Sequence, residues 1–380
     1  MPSKATYRDA TDSSDATTNV AITSVDASAY VIPTDAPESD GTFAWDRTTL
    51  VVAEAHGGGQ TGLGYTYADR AAALVVTETL EHVVVGGDPA DTTAAWTRMQ
   101  AAVRNAGRSG IAATAISAVD VALWDLKARL LGLPLTALLG RVRQRVPVYG
   151  SGGFTSYSVE RLQQQLGGWV EEGIRAVKMK VGRDAGADPD RVAGARAAIG
   201  DTTALLVDAN GAWTPSQAIA MARRFEPFGV SWLEEPVSSD DVAGLAAVRS
   251  RAPAGMEVAA GEYGFTLVHF RRLLEAGAVD VLQADATRCG GITGFLAAGA
   301  LSDAFGVPLS AHTAPSLHAA VCCALPCVRH VEYFHDHVRI EQMLFDGAAQ
   351  ARGGAIGPDP SRPGLGLDFK RADAARFRVM

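Results

Sequence analysis

Three short apolar runs each end in a carboxylate, and they recur at the interval of one β-strand plus one helix. AlaLeuLeuVal leads into Asp208, SerTrpLeu into Glu234 and GluValAlaAlaGly into Glu262, with spacings of 26 and 28 residues. Strand–helix units repeated at this length predict an α/β fold. In a (β/α)₈ TIM barrel the successive strand ends form one ring at the C-terminal face, where active sites are built. Three acids on that ring can converge on one cation. An oxygen-only ligand set suits Mg²⁺ better than Zn²⁺.

The period continues in both directions. Upstream, AlaValLysMetLysVal carries Lys178 and Lys180. Residues two apart on a strand point to the same side, so both ammonium groups enter one cavity while Val177, Met179 and Val181 pack behind them. Downstream, Asp285, His312 and Glu332 follow Glu262 in steps of 23, 27 and 20 residues on further apolar stretches.

The rest of the chain frames this repeat. Its 380 residues, 47% hydrophobic and 20% charged, suffice for a large core. A net charge of −8 argues against a nucleic-acid surface. Cys289, Cys322, Cys323 and Cys327 lack CxxC spacing and read as free thiols. No apolar run reaches the ~18 residues of a membrane span, and no basic-then-apolar leader opens the chain; a cytoplasmic protein is expected. Residues 1–20, polar and aperiodic, read as a mobile tail. Residues 21–140 read as an α+β module: two strands joined by a polar loop, 34–46, that carries Phe43 and Trp45 and is expected to act as a lid, then helices, the clearest over 111–131. The barrel is expected over 146–345. The Gly- and Pro-rich segment 346–380 is expected to return to the first module.

The chain resembles the enolase superfamily and, within it, the mandelate racemase subgroup. The matching motifs are LysMetLys at 178–180, AspAlaAsn at 208–210, GluGluPro at 234–236, GlyGlu at 261–262, the pair Asp285 and His312, Glu332, and SerAlaValAspValAlaLeuTrpAspLeuLys at 117–127. The resemblance implies a modified TIM barrel under an N-terminal α+β capping domain completed by the C-terminal segment. It also implies proton abstraction α to a carboxylate with Mg²⁺ stabilising an enediolate, and a homo-oligomer such as a dimer or octamer.

That chemistry assigns roles to the ring. Asp208, Glu234 and Glu262 would hold the metal. Lys180 is the first candidate base, with a pKa expected to be lowered by Lys178 and the nearby cation. Lys178 would stay charged and meet the substrate carboxylate. His312, its tautomer fixed by Asp285, would act from the opposite face. Glu235, adjacent to Glu234 on a strand, is expected to face the other way and support a ligand by a hydrogen bond. Asn210 would support the metal or the substrate carboxylate. Glu332 would hydrogen-bond an enediolate oxygen if protonated, or serve as a structural acid. Arg288 would contact a polyol or a second carboxylate. His335, Asp336, His337 and Arg339 would reach substrate hydroxyls or line a polar loop; Tyr149 and Ser151 would line the pocket; His318 and His330 read as structural.

Two opposed bases permit dehydration, racemisation or epimerisation, and cycloisomerisation. The subgroup resembled here points to an Mg²⁺-dependent acid-sugar dehydratase acting on an aldonic or aldaric acid. A racemase or cycloisomerase is the alternative, and a catalytically silent binding protein is a third possibility of a different class.

Overall fold

Apolar strands that are buried on both faces need helices on the outside, and this chain alternates the two throughout its second part. The computed structural model describes residues 20–380. The segment read as a tail, save Val20, lies outside them. Eight parallel strands form the barrel: β4 (Val146–Gly152), β5 (Ala176–Lys180), β6 (Ala204–Asp208), β7 (Val230–Glu234), β8 (Glu257–Ala260), β9 (Val281–Ala284), β10 (Leu309–Ala311) and β11 (Val328–Phe334). β11 pairs with β4 and closes the ring. Tyr149, Leu206, Trp232, Ala259 and Val281 fill one interior layer, so the barrel is a packed core and not a pore.

The register explains why the acids meet. Parallel pairing sets Lys180 beside Asp208 on β5 and β6, and Asp208 beside Glu234 on β6 and β7. The side chains on these neighbouring strands are therefore brought together by the backbone ladder itself.

Before the barrel, β1 (Ile22–Ser39), β2 (Ala44–Gly57) and β3 (Gln60–Tyr67) form an antiparallel meander. It packs on the helix Ile111–Leu130, whose long apolar face is buried from Ala112 to Ala128. Each large apolar side chain removed from water there contributes about 1.5–3 kcal/mol. Glycines allow the close approach: a Cβ on Gly62 would lie 2.1 Å from the Ala122 carbonyl oxygen, and one on Gly64 2.0 Å from that of Ala118. The C-terminal segment returns to the same helix. The Leu365 amide donates to Asp125 at 2.6 Å, and Arg129 donates to the Leu367 carbonyl at 2.6 Å.

The polar loop expected over 34–46 is instead mostly strand. β1 runs on to Ser39 and β2 begins at Ala44, leaving only the tip 40–43 outside both strands. Pro33 and Pro37 lack amide donors, and the pairing register shifts between Pro33 and Glu38 before it resumes at Trp45. The tip is held down on the barrel. The Thr155 amide donates to the Ser39 carbonyl at 2.8 Å, and the Thr155 hydroxyl to the Asp40 carbonyl at 2.9 Å.

Candidate active site

Every acid of the ring is buried and lies in the C-terminal half of a strand or just beyond it: Asp208 and Glu234 close β6 and β7, Glu262 follows β8, Asp285 follows β9 and Glu332 lies on β11. Asp208, Glu234 and Glu262 each present an oxygen, and the three oxygens lie within 4.8 Å of one another. The Oδ1 of Asn210 and an oxygen of Glu235 are buried with no hydrogen-bond partner. These donors fit a hard divalent cation.

The lysines sit among the acids. Lys178, fully buried, contacts Glu234, lies 2.8 Å from Glu332 and 3.4 Å from Asp208. Lys180 lies 2.5 Å from Asp208. Burial pushes the Asp208 carboxyl up, but Lys180 and Lys178 outweigh it and hold it well below the usual range. Glu234 is pushed up by burial and then by Asp208, against the pull of Lys178. Six carboxylates (Asp208, Glu234, Glu235, Glu262, Asp285 and Glu332) face Lys178, Lys180 and Arg288 as permanent cations. Negative charge is in excess, which is a second reason the pocket suits a divalent cation.

His312 approaches from the far side of the ring, on the loop after β10. Its Nδ1 is 2.8 Å from Asp285 and its Nε2 3.3 Å from Glu262. Burial raises the Asp285 carboxyl, but its hydrogen bond and charge contact with His312 win and hold it low. Arg288 lies over the same pair, 3.5 Å from both Glu262 and Asp285, with its guanidinium 5.1 Å from the Tyr263 ring.

Several expectations are corrected. Glu235 does not face away: its φ of +35° breaks the strand alternation and turns it into the same acidic cluster, where burial and then Glu262 push it well up. Among the protein's own groups Lys180 is not lowered. Burial pulls it down and Lys178 acts in the same sense, but Asp208, Glu262 and Glu234 outweigh them and leave it above the ordinary lysine value. Glu332 is not a protonated donor; burial raises it, but Lys178 and His312 bring it to about 2. It accepts from Ser151 at 2.5 Å and from the Thr313 amide at 3.1 Å.

The residues after β11 tie the cap to the barrel. Asp336 accepts from Thr48 on β2; Arg339 donates to the Pro33 carbonyl at 2.6 Å, and His335 lies 3.0 Å from Asp35. His337 stacks on Tyr67 of β3, with ring centroids 3.4 Å apart. Tyr149 lies in the interior layer of the barrel rather than at its mouth. His318 accepts from the Ala286 amide at 3.0 Å, and His330 pairs with Ser310 at 2.9 Å, both within the frame.

Two features escaped sequence reasoning. Tyr67 presents a buried hydroxyl without a partner beside this cluster. Thr313 links Glu332 to the Asp285–His312 pair, its hydroxyl 3.4 Å from Asp285 and 3.3 Å from His312. The signal was its place next to His312. Among the described residues, the non-glycine positions with positive φ are Asn210, Glu235, Thr313 and Ala314; all follow strand ends at this site, where strained backbone tends to be stored.

A family model for the enolase C-terminal domain-like fold matches residues 161–374, and the mandelate racemase / muconate lactonizing enzyme N-terminal domain matches residues 18–140. The chain belongs to the mandelate racemase / muconate lactonizing enzyme family. Among solved family members, a mandelate racemase/muconate lactonizing enzyme-like protein from Rubrobacter xylanophilus is 55% identical, with a TM-score of 0.92 over 94% of this chain and 99% of that one. L-talarate dehydratase from Polaromonas sp. JS666, solved with Mg and L-glucarate, is 34% identical, with a TM-score of 0.85 over 95% of this chain and 98% of that one. The 3,6-anhydro-alpha-L-galactonate cycloisomerase of Streptomyces coelicolor is 36% identical over 90% of this chain and 94% of its own length. No helix among the described residues is long and apolar enough to cross a membrane.

Proposed function

We propose that this family member is an Mg²⁺-dependent acid-sugar dehydratase that converts an aldonic or aldaric acid into a 2-keto-3-deoxy acid. What supports the reading is that Lys180 and the His312–Asp285 pair flank the Asp208, Glu234 and Glu262 cluster in strand order, one from either side. Asp208, Glu234 and Glu262 would hold the Mg²⁺, which would supply positive charge to the substrate carboxylate.

The chain's own residues do the rest. Lys180, which the ring's own carboxylates hold charged, would turn neutral once a bound cation takes up the charge of Asp208, Glu234 and Glu262, and in that form it removes the α-proton. Lys178, held charged by Glu234 and Glu332, faces the substrate carboxylate. Asp285 holds His312 with one ring nitrogen engaged, so the other delivers a proton to the departing β-hydroxyl, which leaves as water. The resulting enol tautomerises to the keto acid. General acid–base steps of this kind contribute about 10²–10⁴-fold each.

The relationship to the Streptomyces cycloisomerase favours one second reading, in which the leaving oxygen belongs to a lactone or anhydro ring and the same pair of groups opens it. A panel of aldonates, aldarates, lactones and anhydro acids with Mg²⁺, followed by proton NMR and mass, separates the two. A new 3-deoxy methylene with loss of one water establishes the dehydratase. A keto product of unchanged mass establishes the cycloisomerase. No product from any of them would sink both.

A further inference from the structure

One cavity lies away from the acidic ring. It has a volume of about 660 Å³ and is lined by Arg141, Arg143, Arg145, Arg352, Thr136 and Asp359, among others. Arg145 immediately precedes β4, and Arg143 donates to the Val328 carbonyl at the start of β11 at 2.6 Å. The cavity therefore opens at the N-terminal ends of the strands. One strand length, roughly 20 Å at ~3.3 Å per residue, separates it from the strand ends that carry the acids.

We infer that this cavity is a binding site for a small phosphate-bearing anion, separate from the active site. Four guanidinium groups face one carboxylate there, on a chain whose net charge is −8. None of the four makes an ion pair among the described residues, although arginines elsewhere do so freely. Like charges gathered without counterions repel one another, so an anion that neutralises them binds favourably.

The donors are preorganised. Arg143 is anchored on the Val328 and Pro326 carbonyls at 2.6 and 2.8 Å, and Arg145 on the Arg352 carbonyl at 2.5 Å. Anchoring leaves further N–H groups of each fork available and reduces the ordering cost of binding. Arg141 and Arg352 make no side-chain hydrogen bond among the described residues, and both are exposed. The Thr136 hydroxyl, only 2% exposed as a residue, lines the cavity with no hydrogen-bond partner. Forked donors around a hydroxyl match the tetrahedral oxygens of a phosphate group.

The test uses the full chain at fixed ionic strength, titrated calorimetrically with inorganic phosphate and, separately, with a hexose phosphate. Saturable binding is expected, weakened about 10-fold or more in an Arg141→Ala/Arg352→Ala double variant with an unchanged melting temperature. A Lys180→Met variant, altered only at the catalytic ring, should bind as the unaltered chain does. Tighter binding of the hexose phosphate would assign the site to a phosphate ester, and equal binding to free phosphate. Absence of saturable binding, or binding unaffected by the double variant, would overturn the proposal. So would a double variant that dissociates an oligomer while phosphate binds neither form, since the arginines would then meet an acidic face of a second copy.

Discussion

The imidazole of His312 is held by Asp285 at 2.8 Å through Nδ1, while its other nitrogen faces the acid cluster. Asp285→Asn keeps the shape but removes the charge that orients and stabilises the ring. Product formation should fall by about 10²–10⁴-fold, while deuterium exchange at the α-carbon through Lys180 should fall much less. Measuring both rates in the same variant checks this. Equal loss of both would place His312 in proton abstraction.

Lys178 is fully buried between Glu234 and Glu332. Lys178→Met should leave both acids without their cation, and removing one partner of a buried pair costs about 3–5 kcal/mol. Urea unfolding of the variant without added metal should show that loss. A change under about 1 kcal/mol would mean that Lys178 is not what balances the acids.

Much of this site was readable because strand ends recur at a fixed period, and the residue types at those ends are chemically unusual for apolar runs. Asp208, Glu234, Glu262, Asp285, His312 and Glu332 are legible on that ground alone. The direction of Glu235 is not legible because period-two alternation holds only while the backbone stays extended, and its left-handed φ is a tertiary outcome. The hairpin over 34–46 is not legible because Pro, Asp and Gly mark loops by composition, whereas here contacts with Thr155, more than a hundred residues away, hold a long hairpin. The Lys180 balance depends on how closely several carboxylates crowd it, which spacing does not reveal. The tie between Thr48 and Asp336 joins distant parts of the chain and leaves no local signal.

Gly41, at the hairpin tip, is a tight point of cap–barrel contact. A Cβ there would lie 2.4 Å from the Ala209 carbonyl oxygen and 2.7 Å from that of Val181. Since the clash is with backbone at the ends of β5 and β6, Gly41→Ala should lift the tip and cost about 1–3 kcal/mol. KM should rise more than kcat falls. An unchanged KM would show that the tip does not bear on the substrate.

Glu38 sits at the same hairpin and is buried; burial and then Asp336 push its carboxyl up from 4.5 to about 8. A group raised on folding contributes stability that is complete below its unfolded value and is lost as pH rises through its folded value. Melting temperature should therefore decline between pH 4.5 and about 8 in part through this group. Glu38→Gln should flatten that decline and melt higher than the unaltered chain at pH 8. An unaltered slope would contradict the assignment.

The account rests on proton abstraction α to a carboxylate, which dehydration and ring opening share. The direct measurement is deuterium incorporation at the α-carbon of an acid sugar in D₂O, followed by proton NMR with Mg²⁺, with EDTA, and with Lys180→Met. Exchange or α-deuterated product is predicted with Mg²⁺, lost on chelation and restored when the ion is returned. It should be reduced at least about 10²-fold in the variant. Product formed with the α-proton retained, or exchange indifferent to Mg²⁺ and Lys180, would contradict it.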